Sequence, residues 1–524
     1  MSKRKIGIIA GIVCLVAVAG VFGVKWQFES TVRADIEKFL AELPPSLHAK
    51  AEKIDVSFFD KSVILTNVGG TYTFSIPKSG KEESVLMTFN FARIAASGIN
   101  MDGFKDGAGT AKLIGTLIAE NATIDSPVAK ARVERYVVEN ISADFMLMKT
   151  ELEKGFPILM AVNAGNQPDA EETKQVMQAA AGILKAYETM HIGRSSITNY
   201  TYGIDVNGEK MDVVLESAEA KDYSIRKMGP LSIQNIKASY KDIPLVALET
   251  LSSDEIVLPS FVGLCEILAK DPAPMPHTVQ GALKGQPFAV KNLRMGGLRV
   301  LHPMMREREL FSLADMNVTY AAEDAHTMTL AFDNLNIDKA LVTETSALPP
   351  QVFAALPDTI TLEGKVEQVT TLKEMNTLDL ECKKLFLKGS GLGEGSLSYA
   401  VKDLNLMAMA MGMPNRTALK NFDVTMTDHG LSEVLFAIEG LHSDSTAAET
   451  RSIEVESLRN QKDNESSQAG KEILTGLISF LEKPGGTLRI AVAPEQAATV
   501  DQLLQAYTMN PAALGLTVTF TPGE

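Results

Sequence analysis

Lys53-Ile54-Asp55-Val56-Ser57-Phe58, a break at Asp60-Lys61, a second run over 62–68, the Gly69-Gly70 pair and then Thr71-Tyr72-Thr73-Phe74-Ser75-Ile76 together decide the fold class. Apolar and polar side chains alternate with period two. A strand turns successive side chains to opposite faces, so such a run buries one face and wets the other. Alternation punctuated by Gly and Asp-Lys is the mark of antiparallel strands joined by turns. The pattern recurs over 86–91, 115–125, 132–148, 196–206, 210–218, 231–240, 288–300, 311–320, 327–337, 359–369, 376–387, 396–406 and 419–426. The expected fold is α+β and predominantly antiparallel β, an elongated twisted sheet with helical insertions.

A degenerate signature accompanies the strands: an apolar residue, a spacer, Asn, and another apolar residue. It reads Leu65-Thr66-Asn67-Val68, Val138-Glu139-Asn140-Ile141, Ile233-Gln234-Asn235-Ile236, Val290-Lys291-Asn292-Leu293 and Leu419-Lys420-Asn421-Phe422. Two readings are open. Asn favours turns and bulges between strands, or the signature is a repeat that stacks strand pairs into an extended sheet.

Helical periodicity interrupts this pattern. Val32, Ile36, Phe39, Leu40 and Leu43 share one stripe of a helix over 30–43 that Pro44-Pro45 stops. Val176, Met177, Ala180, Ile183, Leu184 and Tyr187 predict a helix over 170–190. Residues 246–270 read as two shorter helices divided by Pro259, and 349–356 as one short helix. The loop Asp271-Pro272-Ala273-Pro274-Met275-Pro276 separates two halves. Beyond Asp428 come a helix at 430–438, a polar, acidic stretch at 443–467, and a stripe of Ile473, Leu474, Leu477, Ile478 and Leu481. A strand at 487–493, a helix marked by Val500, Leu503, Leu504 and Tyr507, and a closing strand at 516–520 follow. The expected domains are 1–28, 29–270, 277–427 and a C-terminal α+β unit at 428–524 that caps the open sheet edge.

Residues 6–24 are a run without charge, and Ile6, Ile9, Ile12, Leu15, Val18, Val21 and Val24 mark its length. At about 1.5 Å per residue it reaches across roughly 28 Å, enough for one transmembrane helix. Lys3, Arg4 and Lys5 precede it and hold that end in the cytoplasm, which sends the rest of the chain across the membrane. Ala17-Val18-Ala19 also has the small-x-small form of a signal cleavage site. The run continues through Phe22 and closes on the interfacial pair Lys25-Trp26, which suits an uncut signal-anchor.

The formal net charge of −15, with no Lys/Arg cluster interleaved with aromatics, argues against nucleic-acid binding. Cys14 lies in the apolar run. Cys265 and Cys382 are open to a disulfide or to service as buried apolar thiols.

Chemistry-bearing spacings are sparse. His48, His191, His277, His302, His326, His429 and His442 show no helical metal pairing and no adjacent cysteine. Ser75-Ile76-Pro77-Lys78 has an acyl-enzyme spacing spoiled by its proline. Gly389-Ser390-Gly391-Leu392-Gly393-Glu394-Gly395 joins two strands rather than opening a helix, so it reads as a hairpin tip and not as a phosphate cradle. Asp102, Asp106, Asp212 and Glu216 lack calcium-loop spacing. The expectation is a protein without a catalytic residue, metal or cofactor.

The basic N-terminus, the single apolar span, the phrase from Ala51 to Phe58, the Asn-containing strand pairs and the late helical unit together resemble the AsmA-like and related inner-membrane-anchored periplasmic proteins of Gram-negative bacteria. The resemblance implies a bacterial inner-membrane location with the bulk of the chain in the periplasm. It also implies a long β structure whose apolar face holds acyl chains, with a role in envelope lipid transport or maintenance. The expected partners are the membrane, a phospholipid or other envelope lipid, and other envelope proteins. A structural scaffold without ligand is the competing class, and a membrane-tethered hydrolase the third.

Overall fold

The computed structural model describes residues 28–523 except 42, 44–46, 79–80, 106, 128, 163–169, 207–208, 272–287, 304, 306–307, 323–324, 346–355, 374–376, 406–416, 442 and 444. The span at 6–24 and Lys3, Arg4 and Lys5 lie outside the described residues, as do all but Leu356 of the helix expected at 349–356 and most of the loop from 271. Among the described residues no helix is long and apolar enough to cross a membrane. The chain divides into two compact units, Met1–Pro287 and Phe288–Glu524.

The first unit opens with α1 (Phe28–Ala41) and runs through β1 (Leu47–Ser57), β2 (Ser62–Lys78), β3 (Lys81–Ser97), β4 (Thr110–Asp125) and β5 (Ala129–Asp144). Then come α2 (Phe145–Val162), α3 (Ala170–Glu188), β6 (His191–Val206), β7 (Glu209–Ser224), β8 (Lys227–Met228), β9 (Leu231–Tyr240), β10 (Ile243–Ser253), β11 (Glu255–Val257) and α4 (Val262–Lys270). The long strands pair antiparallel with their neighbours in chain order, with β7 stepping over the short β8 to reach β9. Ile36 of α1 is 1% exposed and packs with Ile54, Leu65, Val68, Phe91 and Phe104 in the core.

Two expectations for this unit are corrected. The alternating run read to residue 148 ends at Asp144, whose carboxylate accepts the Leu147 backbone N–H and starts α2. Residues 246–257, read as helical, are β10 and β11, because Leu248 and Leu251 pair with Ile236 and Ile233 and complete an apolar row. Only the second half of that stretch is a helix, α4.

Strict alternation fails at one recurring place. Asn67, Asn121, Asn140, Asn199 and Asn235 lie inside strands with φ between 47° and 55°, the left-handed region that Asn tolerates better than branched residues. Each inserts one residue into the period, so Leu65 and Val68 are both buried although three positions apart. The signature is therefore a phase shift: both apolar ends face inward and the exposed Asn stands between them on the outer face. The register aligns these positions across the sheet, where Asn67 stands beside Glu52, Asn121 beside Glu134, and Asn235 between Glu216 and Glu249. Asn67 donates its side-chain N–H to Glu52, Asn199 to Glu134 and Asn235 to Glu216.

The second unit comprises β12 (Phe288–Leu301), β13 (Glu309–Ala322), β14 (His326–Asp338), α5 (Lys339–Thr345), β15 (Thr359–Leu372), β16 (Thr377–Gly389), β17 (Gly393–Asn405) and β18 (Ala418–Asp428). It continues as α6 (Leu431–Gly440), α7 (Ala447–Asn464), α8 (Gln468–Glu482), β19 (Thr487–Val492), β20 (Ala498–Thr499), α9 (Val500–Met509) and β21 (Leu516–Thr521). β12 to β18 form an antiparallel meander, β19 pairs with β18, and β21 pairs with β19. β19 and β21, from the expected capping unit at 428–524, thus extend the sheet of this unit. The polar stretch at 443–467 is mostly α7, opened by a capping box between Thr446 and Glu449.

Signature members recur here with different geometry. Asn292 (φ 49°) and Asn334 (φ 49°) are left-handed and sit at bulges, whereas Asn421, opposite Ala400 and beside a register shift, is not left-handed. The glycine run is the β16–β17 hairpin, where Leu392 N–H donates to the Gly389 carbonyl and Gly391 takes φ 71°. A side chain at Gly393 would run into the Thr427 carbonyl.

Candidate functional site: an open apolar sheet face

Residues directly opposite in an antiparallel pair share a face, so the register builds transverse rows. In the second unit one row runs Leu293, Val318, Leu330, Val366, Leu385, Leu397, Val424, Ile490 and Val518, one residue from each strand of the meander. A parallel row carries Met316, Phe332, Gly364, Leu387 and Met426, and ends on Leu488 and Phe520. On the other side of the first row lie Val290, Tyr320, Met328, Gln368, Cys382, Tyr399 and Phe422. The opposite face carries ion pairs such as Lys365–Glu367, Lys388–Glu363 and Arg489–Asp423.

Among the described residues this apolar face is filled at one end only. Helix α8 covers β19 and β21, where Leu488 is 1% exposed and Gly476 lets the helix backbone approach Val518 and Leu488. Toward β12 the same rows stay half-buried. Leu387 is 47% exposed, Leu385 39%, Met328 36% and Met426 36%. At 39–47% exposed, each of these leucines forgoes roughly half of the about 1.5–3 kcal/mol that complete burial returns. A contiguous apolar patch of this kind marks a binding surface more often than a defect. In the first unit the equivalent face is buried over β1 to β4 and half-buried toward β10.

One edge of the open face is polar. Tyr320 Oη and His326 Nδ1 are 2.7 Å apart, and the Phe288 ring lies 5.3 Å from the Tyr320 ring, tilted by 49°. Gln368 Nε2 donates to Thr370 Oγ1 at 3.2 Å. The register puts His326 opposite Thr370 and Met328 opposite Gln368, so these groups share one end of the face. In the sequence His326 reads as an ordinary histidine; its partners are brought together by the pairing of three strands, which no local spacing announces.

Other candidate positions do not converge. Asp102 pairs with Lys105, whose hydrogen bond and charge hold its carboxyl below the ordinary range. Asp212 pairs with Lys210, Glu216 accepts from Asn235, and Asp106 lies outside the described residues. His48 and His191 are exposed strand residues, His302 accepts from the Met305 N–H, His429 is exposed, and His277 and His442 lie outside the described residues. Ser75 and Lys78 fall in β2, a strand and not the helix that an acyl-enzyme site needs. Cys265 and Cys382 are free thiols, and burial pushes both upward, away from the reactive thiolate. Among the described residues no group of carboxylates, histidines or cysteines could hold a metal ion.

A wide groove of about 1110 Å³ lies between α7, α8 and α9, lined by Ile453, Glu456, Asn460, Ile473, Leu474 and Tyr507 among others. Its polar groups join the helices: Ser467 Oγ donates to the Tyr507 carbonyl, and Tyr507 Oη donates to Glu465. Burial first, and the Glu465 carboxylate second, raise the Tyr507 phenol above its ordinary value. The groove is a helix junction with its bonds already made, and the sheet face is the stronger candidate.

A family model described as "Uncharacterized protein" matches residues 319–521, from within β13 to the last strand. No curated protein matches the chain. The matched span contains most of the open apolar face and all of α5 to α9.

Proposed function

We propose that this chain is a membrane-anchored envelope protein that holds an apolar chain, such as the acyl tail of a lipid, on the open face of the second unit. The observation that carries this reading is the uninterrupted aliphatic row from Leu293 to Val518, half-buried along its length and exposed at Leu385. The apolar run at 6–24 supplies the anchor, with Lys3, Arg4 and Lys5 on the cytoplasmic side and the sheet on the other. Placement beside a bilayer gives the face its ligand supply, in keeping with the roles in envelope lipid transport or maintenance that the AsmA-like resemblance implies.

The test is binding of a fluorescent fatty acid, cis-parinaric acid, to the full chain in neutral detergent. Saturable binding is expected, and a Leu385→Asp, Leu397→Asp double variant should weaken it at least about tenfold, because each charge must be desolvated beside the chain. Unchanged far-ultraviolet circular dichroism would show the variant folded. Absence of saturable binding by the wild type overturns the reading in favour of a scaffold without ligand.

A further inference from the structure

We infer that the polar end of the open face, formed by Tyr320, His326, Gln368 and Thr370, receives the head of the ligand, and that this head is uncharged and hydroxyl-bearing, as in a diacylglycerol. The inference rests on the proposed apolar-ligand reading and names the ligand class.

A purely structural sheet face has no need of hydrogen-bonding groups at one end of an aliphatic surface. Here the end residues form two bonded pairs, Tyr320 with His326 at 2.7 Å and Gln368 with Thr370 at 3.2 Å. Each pair offers a hydroxyl together with a ring nitrogen or an amide, groups that both donate and accept. The Phe288 ring against Tyr320 fixes the phenol at the margin of the face. From Thr370 to Gly364 the strand advances about 20 Å, at about 3.3 Å per residue, so head and tail positions are separated by the order of an extended acyl chain.

Charge decides between head groups. Among the described residues, the positions flanking the cluster on this face, Ala322, Met328, Leu372, Leu380 and Cys382, include no lysine, arginine, aspartate or glutamate. Lys373, just beyond Thr370, is held by Asp379 at 2.7 Å and Asp403 at 2.8 Å. Phosphate recognition uses cations or clustered backbone N–H groups. Among the described residues flanking the cluster, a phosphate would meet no lysine or arginine other than Lys373, which is already paired, in a chain whose net charge is −15. A glycerol hydroxyl and its ester carbonyls match the hydroxyl, ring-nitrogen and amide groups of the cluster, which both donate and accept.

The experiment displaces bound cis-parinaric acid from the full chain with dioleoylglycerol or with dioleoylphosphatidate, which have the same tails and differ in charge. Dioleoylglycerol should compete at least about tenfold better, the cost of burying an unpaired charge. Tyr320→Phe and Gln368→Leu, made separately and together, should lose most of that preference when competition is normalised to each variant's own parinaric acid affinity. Equal competition, a preference for phosphatidate, or a preference that survives both substitutions overturns the inference and leaves the apolar-ligand reading intact. Failure of the wild type to bind parinaric acid at all overturns the underlying reading instead.

Discussion

Asn235 concentrates the chemistry of the sheet in one residue. Its backbone is left-handed at φ 52°, its amide donates to Glu216, and its two apolar neighbours in the signature, Ile233 and Ile236, lie on one face. Alanine would place a Cβ in that region at a cost of about 1–2 kcal/mol and would also lose the Glu216 contact. Glycine takes the same backbone freely. Thermal melts followed by circular dichroism should therefore rank wild type above Asn235→Gly and Asn235→Gly above Asn235→Ala; the reverse order of the two variants would show that backbone strain is not the reason for Asn. The signature itself was visible in the sequence. Its meaning was not, because a left-handed residue and a turn residue have the same composition, and only the pairing on both sides shows that the strand continues. Asn421 shows the limit of the pattern, since it has the signature without the geometry.

Asp428 is the buried charge on which the first helix after the meander starts. Its side chain accepts from the Gly430 and Ser432 backbone N–H groups at 3.1 Å each and from the Ser432 hydroxyl. Burial raises its carboxyl, but these donors and the nearby Arg451 outweigh burial and leave it below its ordinary value. A lowered native value means the unfolded chain binds the proton more readily. The stabilisation is therefore full above the ordinary carboxylate range near pH 4 and is lost as pH falls through the lowered native value. Asp428→Ala should cost about 1–2 kcal/mol at neutral pH, as for loss of a helix cap. The gap between wild type and variant should narrow in acid-unfolding measurements below pH 4, and a gap that widened there would contradict this assignment.

At the scale of elements, α8 decides where the apolar face closes. Its stripe was plain in the sequence from Ile473 to Leu481, but the residue that sets its approach is Gly476, which lies between the stripe positions. A Cβ there would come within 2.5 Å of a Val518 methyl and 3.0 Å of a Leu488 methyl. Gly476→Val should push the helix from the strands at a cost of about 1–3 kcal/mol, while Gly263→Ala, where a Cβ would meet nothing within 4 Å, should be close to neutral or stabilising. Equal melting points for the two variants would mean that α8 does not bear on β19 and β21 as described. Elements with strong periodicity were legible on this basis, including most of the strands and α1, α3, α6, α8 and α9. The two misreadings have different causes: at β10, Val246, Ala247 and Leu248 suit either structure locally and pairing with β9 decides, whereas the start of α2 is set by the Asp144 side chain. The open face was legible only as aliphatic composition, because Leu330, Val366 and Leu385 become one surface through register, and register is set by bulges such as that at Lys383-Lys384.

For the whole molecule, the acidic body and the apolar run at 6–24 make one joint prediction about compartment. On the proposed membrane-anchored reading, three cations before the run and none within it would orient a single span with its start in the cytoplasm. A sheet that offers an apolar face to lipid works only on the side to which the chain is delivered. A phosphatase reporter fused after Glu524, active only when exported, should therefore be active, and a cytoplasmic fluorescent reporter at the same place should be dark. Replacing Lys3, Arg4 and Lys5 by glutamate should reduce phosphatase activity by weakening the orientation signal, while an arginine in place of Ile12 should hinder insertion, at about 2.5–3.5 kcal/mol for a central charge. The mass of the mature N-terminus separates the anchor from a cleaved signal: retention of residues 1–19 supports the anchored reading, and loss of them after Ala19 would release the sheet from the bilayer and remove the proposed supply of ligand.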